Sequence, residues 1–169
     1  MPDGYSRVFS ERTHHSLSTP SLPDLLGGSE DDPHHLATTA YNLLQQYNYG
    51  KNIDDLRNSI MLFRRTIQLS SESPPDQLRW LDTVGDCLLR LFKRSGSALD
   101  LDDSINAYQR AAHLSQQDSA LPKRLGNLAL SLRTRFDRSH NPADLDEALN
   151  AHRRAVDLPL VVAAAFQGD

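Results

Sequence analysis

The chain has 169 residues, 38% of them apolar, with a formal charge of −4 and a pI near 5.9. It is sized for one domain, and its acidic balance argues against a nucleic-acid surface. No apolar run approaches the ~18 residues of a membrane span, and MPDGYSRVFS lacks the charged-then-apolar order of a secretory leader. A single cysteine, Cys87, excludes an internal disulfide and fits a reducing compartment, so a cytoplasmic or nuclear location is the default expectation.

Residues 1–33 are rich in Ser, Thr, Pro and Gly, lack helical periodicity and carry six acids against two bases. This composition predicts a disordered acidic tail. Within it Leu22, Leu25 and Leu26 stand beside Glu30, Asp31 and Asp32, an arrangement suited to a short docking motif or to a merely solvated leader. Asp32 before Pro33 marks a helix start, because proline is tolerated in the first turn, and Ser73 before Pro74 marks another. Apolar residues spaced four, three and four apart then predict helices over roughly 33–50, 74–94 and 119–138.

Each of these helices is followed by a second one, and the second helices are near copies. DLRNSIMLFRRTIQLS begins at Asp55, DLDDSINAYQRAAHLS at Asp100 and DLDEALNAHRRAVDLP at Asp144, at steps of 45 and 44 residues. A capping residue precedes each copy, Asn52, Ser97 and Asn141, with a carboxylate three residues on that suits the positive end of the helix dipole. Ala40, Gly85 and Ala129 in the first helices, and Ser59, Ser104 and Ala148 in the second, are the small positions where two helices can cross closely. A period of this size with helical patterning inside predicts a stacked solenoid of three hairpins, over about 34–77, 78–120 and 121–158. Pro159 disfavours helix at Leu158. The third hairpin is therefore expected to stop there, and 159–169 to form an irregular apolar segment that folds back or meets another chain.

The pattern of Leu, Ala or Gly, Leu in the first helix and of a small residue, an aromatic and a small residue in the second resembles the tetratricopeptide repeat. The aromatic position falls on Phe63, Tyr108 and His152, the following small one on Thr66, Ala111 and Ala155. The run LGNLALSLRTRFDRSHNPADLDEALNAHRRAVDL is similar to the extended arrays of large fungal proteins, which often accompany caspase-like CHAT protease domains. The resemblance covers residues 34–158 and implies an all-α, short right-handed solenoid whose first helices line a concave groove. In register, that groove would present Tyr41, Gln45, Arg79, Asp82, Asp86, Arg90, Lys123, Asn127 and Arg133. The clamp by which some relatives hold chaperone tails is not reproduced, since only Lys123 matches it.

Reaction chemistry finds little support. Cys87 sits among leucines with no histidine close in sequence, although a nucleophilic thiol needs a base within reach. The seven histidines include no pair spaced four apart, so the HExxH zinc pattern is absent. Asp100, Asp102 and Asp103 resemble the opening of a calcium loop, but Ile105 and Ala111 occupy the positions that need glycine and glutamate. Lys123, Arg124, Arg133, Arg135 and Arg138 read either as a solvated helix face or as a dock for an acidic peptide, the chain's own Glu30–Asp32 included.

The expected function is a non-enzymatic scaffold or adaptor that binds a peptide or helix in its groove, without cofactor or metal. Its expected partner is another protein or peptide of acidic character, not a specific nucleic acid or a membrane, with self-association through the C-terminal apolar segment. The alternative is a regulatory array of the signalling or CHAT type without its effector domain. A small accessory enzyme ranks below both.

Overall fold

A computed structural model describes residues 32–70, 74–115 and 118–165. They form six helices: α1 (Pro33–Gly50), α2 (Ile53–Leu69), α3 (Pro74–Ser95), α4 (Ala98–Leu114), α5 (Leu121–Ser139) and α6 (Pro142–Ala165). Neighbours pair as three hairpins, and the hairpins stack where α2 meets α3 and α4 meets α5. The chain is an all-α repeat solenoid, and no strand occurs among the described residues. The tail with its Leu22, Leu25 and Leu26 lies outside them, as does the Ser73 start signal.

The turn inside each hairpin repeats one construction. Lys51, Gly96 and His140 take left-handed φ values of 57°, 71° and 55°. Their N–H groups donate to the carbonyls of Tyr47, Phe92 and Phe136, closing each first helix on its own last turn. Caps then open the second helices. Asn52 Oδ1 accepts from Asp54 N at 3.1 Å, and Asn141 Oδ1 accepts from Ala143 N at 3.2 Å. Ser97, expected to cap in the same way, makes no such bond. Its own N–H donates to Ser95 Oγ at 3.1 Å, and that hydroxyl donates to Asp100 at 2.9 Å. Because only glycine takes the left-handed region freely, Gly96→Ala is expected to lower stability by about 1 kcal/mol. A urea titration that shows an unchanged midpoint would contradict this.

The small positions are crossings. Ala40, Gly85 and Ala129 are buried, and Ser59 Oγ donates to the Ala40 carbonyl at 2.9 Å while Ser104 Oγ donates to that of Gly85 at 3.0 Å. Ala148 occupies the third crossing and has no hydroxyl to donate. At the middle crossing the Tyr108 ring lies so close that a Cβ on Gly85 would stand 2.7 Å from two of its carbons. Apolar burial is split into two clusters, one at each junction between hairpins. Trp80, Val84, Cys87 and Leu91 of α3 enter the first cluster, and Leu125, Leu128 and Leu132 of α5 the second.

Helix α6 departs from the expected stop at Leu158. It runs through Pro159 to Ala165 in place of an irregular segment. A proline inside a helix removes one backbone hydrogen bond, but the run LVVAAA that follows is alanine-rich, and alanine has the strongest helix propensity.

Candidate functional site

Of the nine residues placed on the first-helix face, several are engaged by other side chains of the array. Tyr41 is half-buried and meets Phe63 edge-on, with ring centroids 4.8 Å apart. Asp82 accepts from Arg124 Nε at 2.9 and 3.1 Å, and Asp86 accepts from the Tyr108 hydroxyl. Arg90 donates to Asn48 of α1 at 3.0 Å, and Arg79 reaches Asp76 at 3.3 Å. Asn127 is half-buried, and Gln45, Lys123 and Arg133 are exposed. Several polar side chains assigned to a ligand thus join helices of the array to one another.

The basic cluster of α5 divides in the same way. Arg124 is 6% exposed, buried at the second junction, and also reaches Asp118 at 2.5 Å. A backbone hydrogen bond from Ala120 and the Arg124 guanidinium hold the Asp118 carboxyl below its ordinary value. Asp82 moves up instead, because its burial outweighs the pull of the same arginine. Arg135 grips the buried Asp144 through Nε at 3.1 Å and its terminal nitrogen at 2.6 Å, and reaches Asp102 of α4 at 2.8 Å. These bonds to Asp144 and Asp102 push its own pKa further up. Arg138 stands 5.1 Å over the Phe92 ring. Arg124 and Arg135 are thus taken up by ion pairs within the array, whereas Lys123, Arg133 and Arg138 are exposed.

An opening that periodicity did not indicate lies on the other side of the array, between α2 and α4. Two adjoining cavities of about 320 and 520 Å³ share Arg64, Gln68 and Asp103. Leu81, Val84, Leu88 and Leu91 of α3 contribute the floor, with Ile60 and Ile67 along one wall. Arg57, Arg64, Arg65 and Arg110 stand on the rim against Asp100 and Asp103. Arg64 bridges the furrow to Asp103 at 2.6 Å. That pair is about half exposed, so its net contribution is ~0.2–1 kcal/mol, and it is easily exchanged for another carboxylate. None of the nine groove candidates lines either cavity. The signal available in the sequence was the arginine pattern of α2, at 57, 64 and 65, which the acids beside it obscured.

Burial pushes the Cys87 thiol up to about 12, with Asp86 adding to the shift and Arg90 opposing it. The thiol is therefore protonated at neutral pH, a poor state for a nucleophile. No group of three or more His, Cys, Asp or Glu side chains among the described residues is placed to hold a metal ion. No described helix is long and apolar enough to cross a membrane.

Fold and surface together define a helical-repeat protein. No family model matches the chain, and no curated protein does. Among solved structures it is similar to a chain of the "DHF58 filament", with a TM-score of 0.54 and 17% identity over 85% of this chain and 78% of that one. At that identity the likeness concerns the fold alone.

Proposed function

We propose that this protein is a non-enzymatic interaction module of tetratricopeptide-like hairpins, and that the α2/α4 furrow receives an acidic polypeptide segment with apolar anchors. The observation that carries the reading is the combination of an apolar floor from α3 with four arginines on the rim. Apolar side chains of the guest would take the floor, and its carboxylates would form forked pairs with guanidinium groups. The Arg64–Asp103 bridge opens to admit it, the guest's carboxylate replacing that of Asp103.

Affinity capture with the full chain as bait tests this. A furrow variant carries Arg57, Arg64, Arg65 and Arg110 changed to Ala, and a first-helix-face variant carries Arg79, Arg90, Lys123 and Arg133 changed to Ala. A partner lost by the first variant and kept by the second is the expected result. The opposite pattern returns the site to the first-helix face, and equal capture by both removes the reading.

A further inference from the structure

The two ends of the array differ in chemistry at matching register. In α2 and α4, Leu56 and Leu101, Ile60 and Ile105, and Ile67 and Ala112 are all at most 8% exposed. The α6 residues at these positions, Leu145, Leu149 and Val156, are 36%, 54% and 64% exposed, and His152 is exposed where Phe63 and Tyr108 are buried. Within the array, the first helix of the next hairpin covers this stripe. On α6 no described helix covers it.

At the opposite end, α1 carries His35, Thr39, Asn42 and Gln46 where α3 buries Trp80, Val84, Cys87 and Leu91. One end of the stack is therefore polar and the other apolar. Head-to-tail stacking of two copies would set the apolar stripe on polar side chains, which is unfavourable. Pairing the apolar ends with each other avoids that.

We propose that the outer face of α6 is a self-association surface, on which a second copy of this chain seats its own α6 antiparallel about a two-fold axis. The stripe has the 4-3-4 spacing of a coiled-coil seam. With the axis midway between Asn150 and Ala151, Leu145 lies opposite Val156 of the second copy and Leu149 opposite its His152. In the same register Asp146 and Arg153, both exposed on one flank of the stripe, face Arg153 and Asp146 of the other copy, so the flanks are complementary in charge. A two-fold interface of this kind closes on itself and ends at a dimer. It is independent of the furrow, which lies between α2 and α4.

Sedimentation velocity of the full chain over a range of concentrations tests the surface, with circular dichroism confirming that each variant folds. The wild type is expected to move from monomer to dimer mass. Leu149→Glu is expected to weaken the dimer by at least about tenfold, and so is Asp146→Arg. Adding Arg153→Asp to Asp146→Arg is expected to restore dimerisation. A wild type that stays monomeric throughout overturns the proposal and leaves the stripe to a helix of another protein. Undiminished dimerisation of Leu149→Glu overturns it as well, and a double variant that fails to recover overturns the antiparallel register.

Discussion

Replacing Arg124 with alanine is expected to destabilise the array by about 2–3 kcal/mol, because two carboxylates at the second junction then lose the cation between them. The arginine side chain is 7% exposed, while those of Asp82 and Asp118 are 29% and 34% exposed. Water can therefore reach the orphaned acids, which holds the loss below the ~3–5 kcal/mol of a fully buried pair broken on one side. Acidity supplies a second readout. The folded pKa of Asp118 lies below its unfolded value, so its contribution is present above the ordinary carboxylate range and fades as the pH falls through the folded value. The gap between wild type and variant should narrow over that interval.

A double variant separates charge from packing. The first junction carries apolar Trp80 and Ala37 at the register of Arg124 and Asp82, both buried in its cluster. The architecture thus admits an apolar contact in this place. Arg124→Met with Asp82→Leu is expected to recover most of the loss, since apolar residues of similar volume replace buried ion pairs at little cost. A double variant as unstable as Arg124→Ala, measured by urea denaturation, would assign the junction's stability to the ion pair itself.

The second large effect is expected at Gly85. An alanine Cβ there would stand 2.7 Å from the Tyr108 ring, which is 1% exposed and held by the hydrogen bond its hydroxyl donates to Asp86. Neither partner can yield without moving α4 and loosening the Ser104 hydroxyl from the Gly85 carbonyl. Overpacking of this kind costs ~1–3 kcal/mol, and the better helix propensity of alanine returns up to ~1 kcal/mol. A net loss of about 1–2 kcal/mol is the expected result. On a Tyr108→Leu background the obstacle is gone, and the same change should become neutral or stabilising. If Gly85→Ala costs as much in that background, the ring contact is not the cause.

The features legible in the sequence were those set by local periodicity. The small crossing positions, the start signals at Asp32, Asn52 and Asn141 and the three hairpins all follow from spacings within a turn or two of helix. Junction chemistry was not legible. Arg124 and Asp82 lie 42 residues apart, and the face they share is set by how one hairpin sits on another. Register comparison does carry part of that signal, because His35, Trp80 and Arg124 occupy one repeat position with three chemistries. The left-handed residues Lys51 and His140 escaped notice because neither is glycine. The furrow escaped because a cavity depends on the separation of α2 from α4, which neither helix encodes alone.

The central claim, that the α2/α4 furrow is where a polypeptide docks, is tested most directly by hydrogen exchange on the array with and without a partner segment recovered by capture. Slowed exchange in α2 over residues 60–68 and in α4 over residues 103–110 is the predicted result, with α1 and α5 unchanged. Protection confined to α1 and α5 would contradict it and place the partner on the first-helix face.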